Sequence, residues 1–196
     1  MGCESSMISI NPNFLTPEEI STILNYVKNE SQKHWSIDEN NQRRVLNLNY
    51  YKSLEPKDKL ILEMIIKIRI RIEQHIKQTC GLSVPIYAEC ASVIRWPEGY
   101  EQEPHADSEQ NNPDDGEHPY PHRFYAAVCY LNDDYEGGEI YFPQHGLELK
   151  PAPGVMIHFP GTREYLHGVH PVTNGVRYAI TAFYTKDINK ADGLPA

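Results

Sequence analysis

Three residues in this 196-residue sequence have the types and spacing to grip a metal ion: His105, Asp107 and His167. In His105-Ala106-Asp107, residues i and i+2 of an extended segment point to the same side, so an imidazole and a carboxylate can hold one ion. That pair alone is a weak signal. His167 offers a third donor, and His170 competes with it for the same place. Two histidines and one carboxylate on one face of an octahedral ion leave three positions open, the arrangement non-haem Fe(II) uses to activate dioxygen. The open positions must admit a chelating cosubstrate as well as dioxygen, which a fully ligated zinc site would not allow.

Arg177 lies ten residues after His167, in the run LHGVHPVTNGVRYAITAFY. On a strand, Arg177, Ala179, Thr181 and Phe183 share one face. An inward arginine followed by small side chains makes a pocket with a cation at its end. A planar guanidinium can hold a carboxylate through two parallel hydrogen bonds. In isolation Arg177 also reads as a surface charge on a strand.

The elements that must position these groups fall into a helical front and a strand-rich back. Thr16-Pro17-Glu18-Glu19 predicts a helix start, with Thr16 as N-cap and Glu19 closing a capping box. Ile20, Ile23, Leu24 and Val27 follow at helical spacing. A longer helix is predicted from near Glu55-Pro56 to just before Gly81, with Ile61, Ile65, Ile68, Ile72 and Ile76 as its buried stripe. Between them Trp35, Leu46 and Leu48 suggest an edge strand. After Gly81, strands are predicted at 87–96, 123–131, 139–142, 147–150, 155–159 and 176–185. Short strands behind helices suggest an antiparallel sandwich or barrel with the helices on one outer face. The long stretch 108–122, rich in Pro, Asp, Asn and Gly, has the length of a functional loop.

Composition narrows the classes. Apolar residues make up 40% and charged residues 23%, so the chain is neither a disordered tail nor a membrane protein. No apolar run approaches the roughly 20 residues needed to span a bilayer. A net charge of −9 disfavours nucleic-acid binding. Cys3, Cys80, Cys90 and Cys129 form no CxxC pair, which suits a reducing compartment, and the expected location is cytoplasmic. The opening MGCESS fits a lipidation pattern, the one route by which a membrane partner is expected; it also fits a cloning remnant before Met7.

The segments SVIRWPEGYEQEPHAD, YAAVCYLNDDYEGGEIYFP, LELKPAPGVMIHFP and LHGVHPVTNGVRYAITAFY together resemble the Fe(II)/2-oxoglutarate-dependent dioxygenases, in the prolyl 4-hydroxylase-like branch. The likeness runs from Glu89 to Asp187. It implies an α+β chain that is mainly β: a double-stranded β-helix, or jelly roll, with the N-terminal helices on one face. The expected organisation is one domain over 1–196. Within it lie an N-terminal segment 1–15, a helical support 16–81, the jelly-roll core 82–187 and a tail 188–196.

The resemblance also implies Fe(II), 2-oxoglutarate and O2, with ascorbate a candidate requirement for sustained turnover. It assigns His105, Asp107 and His167 to the iron, the frame HxVxPV favouring His167 over His170. It assigns Arg177 to the distal carboxylate of 2-oxoglutarate. Tyr130 matches a tyrosine that bonds the same carboxylate, or else is a core aromatic. Trp96 falls where prolyl hydroxylases often have a tyrosine in the cosubstrate pocket, so a hydroxyl is lost there. His158 is expected in the core or supporting the ligands, and His145 on the surface.

The implied activity is hydroxylation of an unactivated C–H bond, in a prolyl residue of a peptide or protein or in a free amino acid. Glu109, Asp114, Asp115 and Glu117 in the long loop suggest a cationic substrate. The alternative is a non-catalytic jelly-roll module that binds metal or ligand without turnover.

Overall fold

The computed structural model describes residues 8–29, 35–37, 44–46 and 55–194. The MGCESS segment and Leu48 lie outside them. Strand β1 (Ser9–Asn11) precedes helix α1 (Pro17–Asn29). The expected capping box opens α1: Glu19 N–H donates to Thr16 Oγ1 at 3.2 Å and Thr16 N–H to Glu19 Oε2 at 2.9 Å. A short hairpin follows, β2 (Trp35–Ile37) and β3 (Arg44–Leu46), where one edge strand was expected.

Helix α2 (Pro56–Thr79) stops where a Schellman turn closes it. Gly81 takes φ +60°, Gly81 N–H reaches Gln78 O at 3.4 Å and Leu82 N–H reaches Lys77 O at 3.0 Å. The stripe Ile61, Ile65, Ile68, Ile72 and Ile76 is buried throughout.

Among the described residues nine further strands follow: β4 (Tyr87–Pro97), β5 (Gln102–His105), β6 (Arg123–Tyr130), β7 (Tyr135–Gly137), β8 (Ile140–Phe142), β9 (Leu147–Leu149), β10 (Met156–Pro160), β11 (His167–Val169) and β12 (Val172–Thr185). They form two antiparallel sheets of a jelly roll. The larger has the order β1-β10-β6-β12-β4-β3-β2, with β7 on the end of β12; the smaller runs β5-β11-β8-β9. The larger sheet thus draws β1, β2 and β3 from segments expected to lie outside the core.

Side chains alternate across the larger sheet, as a strand period of two requires. On β12, Tyr178, Ile180, Ala182 and Tyr184 pack against the helices with the α2 isoleucines. The opposite faces of β4, β6, β10 and β12 turn toward the smaller sheet, where Ile94, Val128, Phe159 and Ala179 build a second core. The helices therefore seal one face of the sheet and leave the other free to line a cavity. Among the described residues, no helix is long and apolar enough to cross a membrane.

Candidate active site

β5 and β11 pair so that His105 lies directly opposite His167. The chain then leaves β5, and Asp107 N–H bonds to Gly161 O at 3.0 Å, fixing the aspartate beside both rings. Their donor atoms lie within 4.8 Å of one another. His105 Nε2 is 3.8 Å from Asp107 Oδ1, and His167 Nε2 is 3.8 Å from Asp107 Oδ2. On the far side of each ring, His105 Nδ1 faces Glu103 O at 3.0 Å and His167 Nδ1 faces Tyr165 O at 3.2 Å. A carbonyl accepts only, so both Nδ1 atoms are assigned the proton and both Nε2 atoms carry a lone pair.

Asp107 is buried, and its Oδ2 has no hydrogen-bond partner among the described residues. A buried carboxylate whose two oxygens each face an imidazole lone pair is costly unless a cation sits among them. The donor set fits a divalent metal with two nitrogen ligands and one oxygen ligand.

The same cavity, about 890 Å³, reaches Arg177 at one end. Arg177 is 1% exposed, and its Nη2 donates to the Tyr130 hydroxyl at 3.3 Å. Its Nε and Nη1 have no hydrogen-bond partner among the described residues, and no acidic side chain pairs with it there. The guanidinium carbon stands 5.1 Å from the Trp96 ring centroid and 5.0 Å from that of Tyr130. This is a buried cation set for a planar anion, not a surface charge.

Trp96 lines the cavity directly across from Arg177 in the β4–β12 register. Tyr130 stands behind the guanidinium; it is fully buried and burial raises its phenol pKa. It is thus a core aromatic whose hydroxyl engages Arg177. Gly137 and Gly138 take φ +68° and +69°. A Cβ on Gly137 would lie 2.1 Å from Pro171 O, and one on Gly138 would press Arg177 Cδ at 3.2 Å. Gly137 is required by the Pro171 carbonyl, and Gly138 by the close approach of Tyr135, Val172 and the arginine's stem.

From Arg177 to Phe183 the floor of the cavity runs six residues along β12, about 20 Å at strand rise. Ser92, Val128 and Thr181, neighbours across the sheet, line its middle. At the far end Arg123 is clamped: Nε and Nη2 donate to Glu89 at 2.9 and 3.0 Å, and its guanidinium carbon lies 3.8 Å from the Tyr120 ring and 3.9 Å from the Phe183 ring. Asp192, held by Arg69 at 3.6 Å, closes the same end. Sequence reasoning named neither pair, because Glu89 and Arg123 are 34 positions apart with no local pattern between them.

Of the remaining candidates, the loop carboxylates depart from expectation, whereas His145 is exposed, His170 lies off the triad and His158 is in the core, as expected. Of the long loop, His118, Pro119 and Tyr120 line the cavity, and Glu109, Asp114, Asp115 and Glu117 do not. Glu109 instead accepts from Arg163 N–H at 2.7 Å. His158 points to the helix side of β10, its ring centroid 5.5 Å from that of His75, and supports no ligand. His170 stacks on Tyr141 and pairs with Glu148 at 3.1 Å, away from the triad. His145 stacks on Tyr165.

Residues 91–185 match the sequence profile of the 2OG-Fe(II) oxygenase superfamily. Prolyl 3-hydroxylase 3 of Mus musculus is 30% identical over 148 residues, covering 66% of this chain and 20% of its own length. The chain spans between a tenth and a fifth of the curated prolyl 3-hydroxylases it matches. Among solved structures, the viral collagen prolyl hydroxylase of Paramecium Bursaria Chlorella virus-1, in complex with 2OG, has a TM-score of 0.66 at 19% identity, covering 93% of this chain and 97% of that one. A prolyl hydroxylase of Trichoplax adhaerens, in complex with a hypoxia inducible factor peptide fragment, has a TM-score of 0.67 at 17% identity, covering 97% and 89%. The profile match takes in His105, Asp107, His167 and Arg177, and the fold is shared almost end to end: residues 91–185 belong to the 2OG-Fe(II) oxygenase superfamily, whose cofactors are Fe(II) and 2-oxoglutarate.

Proposed function

We propose that the protein is a prolyl hydroxylase acting on a peptide or protein, with His105, Asp107 and His167 holding Fe(II) and Arg177 holding 2-oxoglutarate. One observation carries this reading above the others. A buried guanidinium with two nitrogens unpartnered among the described residues ends the same cavity that contains the triad. When bound, the iron supplies the oxidising centre at which dioxygen and 2-oxoglutarate are consumed to carbon dioxide and succinate while a C–H bond becomes C–OH.

The residues do the rest by position. Arg177 orients the cosubstrate by its far carboxylate, backed by Tyr130. The carbonyls of Glu103 and Tyr165 hold the two imidazoles in the tautomer that offers Nε2. Trp96, Ile94 and Phe159 keep the walls apolar. The cavity is far larger than a five-carbon diacid, and the excess lies toward the Tyr120–Arg123–Phe183 end. Aromatic surfaces there suit the compact apolar ring of a prolyl residue.

For substrate charge, a neutral peptide is the better reading, because the loop carboxylates stand off the cavity and Arg123 neutralises Glu89. A reducing compartment, the cytoplasm, is supported by Cys80, Cys90 and Cys129 being free thiols. The test is incubation with proline-containing peptides, Fe(II), 2-oxoglutarate and ascorbate. Succinate release matched by one added oxygen on proline supports the reading, and chromatography of the hydrolysed peptide tells 3- from 4-hydroxyproline. No succinate with any peptide, despite bound metal and 2-oxoglutarate, would favour the binding-module alternative.

A further inference from the structure

The two histidines of the triad are not equivalent. His167 Nε2 faces Asp107. His105 Nε2 faces Asp107 as well, but it also lies 3.1 Å from the side-chain nitrogen of Gln102. Because His105 Nδ1 is committed to Glu103 O at 3.0 Å, its Nε2 lone pair is the acceptor and the Gln102 amide is the donor. Gln102 is half-buried, sits at the start of β5 opposite Val169, and lines the cavity.

An imidazole nitrogen has one lone pair in the ring plane. It can accept a hydrogen bond or bind a metal, not both. We propose that Gln102 is a metal-gated positioning residue: its amide caps the His105 lone pair in the metal-free protein and is displaced when the metal binds. This rests on the reading of His105 as a ligand. Metal affinity is then set partly by a competing internal hydrogen bond, and loading frees an amide donor and acceptor that face the space shared by cosubstrate and substrate. The cap also gives the His105 lone pair a donor where the Asp107 carboxylate beside it can offer none. A purely structural role for Gln102, as a strand residue against Gly168, predicts a change in stability and none in the metal equilibrium.

The experiment titrates metal-free wild type, Gln102→Ala and the near-isosteric Gln102→Leu with Co(II), without 2-oxoglutarate or peptide, by calorimetry and the visible absorption of the bound ion. Both variants should bind Co(II) about fivefold more tightly, the effect of removing one competing neutral hydrogen bond. In the metal-free proteins the ¹⁵N resonance of His105 Nε2 should move toward that of a free lone pair in both variants, with Nδ1 unmoved. Equal affinities and an unmoved Nε2 resonance overturn the proposal, and so does the absence of Co(II) binding in all three proteins. Tighter Co(II) binding without succinate release from any peptide would retire the prolyl hydroxylase reading and leave the role of Gln102 standing. Succinate release with equal Co(II) affinities would do the reverse.

Discussion

Replacing Arg177 should move cosubstrate affinity and protein stability in opposite directions. The guanidinium is 1% exposed, and two of its nitrogens lack partners among the described residues. Each hydrogen bond to a charged partner contributes roughly 1.5–3 kcal/mol. Two such bonds to one carboxylate give about 3–6 kcal/mol, reduced by water entering a truncated site. Arg177→Ala is therefore expected to weaken 2-oxoglutarate by about two orders of magnitude, close to 3 kcal/mol. Arg177→Lys should be milder, since it keeps the charge and loses the fork.

Stability runs the other way for Arg177→Met. The two unsatisfied buried donors together cost about 3 kcal/mol, each taken in the lower half of the 1–3 kcal/mol range, and the cation's contacts with Trp96 and Tyr130 return roughly 1 kcal/mol. The Tyr130 hydroxyl also loses its partner at a cost near 1 kcal/mol. The net gain without cosubstrate is about 1 kcal/mol, a Tm rise of roughly 2–4 °C for a chain of this size. The assay is thermal unfolding of Mn(II)-loaded protein with and without 2-oxoglutarate. At a concentration a hundredfold above the wild-type Kd, the ligand adds about 2.7 kcal/mol to wild type and only about 0.4 kcal/mol to Arg177→Ala. Equal ligand-induced shifts in wild type and Ala would refute the cosubstrate role. A Met variant that is less stable than wild type would refute the claim that the arginine is kept for binding at the expense of stability.

His105→Ala, Asp107→Ala and His167→Ala should each abolish tight Co(II) binding, while His170→Ala leaves it unchanged, because His170 is occupied with Tyr141 and Glu148; calorimetry reads both outcomes. Burial, with His75 adding repulsion, pushes the His158 pKa down from 6.5 to about 4. The unfolded chain therefore binds the proton more readily, so stability is fully present above the unfolded value and falls as pH drops toward 4. The loss amounts to about 3 kcal/mol; urea titrations across that range should show it in wild type and not in His158→Phe. Neutralising Asp114, Asp115 and Glu117 together should leave the Michaelis constant for a basic peptide unchanged at low and high salt, since none of the three lines the cavity.

Much of this protein is legible in its sequence because the physics involved is local. Thr16 and Glu19 close a capping box three residues apart, and Gly81 ends α2 through a conformation that glycine adopts without strain. The alternation that turns Arg177, Thr181 and Phe183 into the cavity follows from the strand period alone. The ligand types were readable for the same reason, since His105 and Asp107 sit within one short segment. The strands that carry the ligands were not. β5 has four residues and β11 three, too few to show a period, and each exists because the other pairs with it.

That pairing also settles which distal histidine joins the site. Register sets His167 opposite His105, while His170, beyond the end of β11, reaches Glu148. The Glu89–Arg123 clamp, the turn of His158 toward the helices, the outward loop carboxylates and the Gln102 cap on His105 were likewise fixed by tertiary structure. Each depends on which face or partner the completed sheets present, and residue type carries no record of that choice.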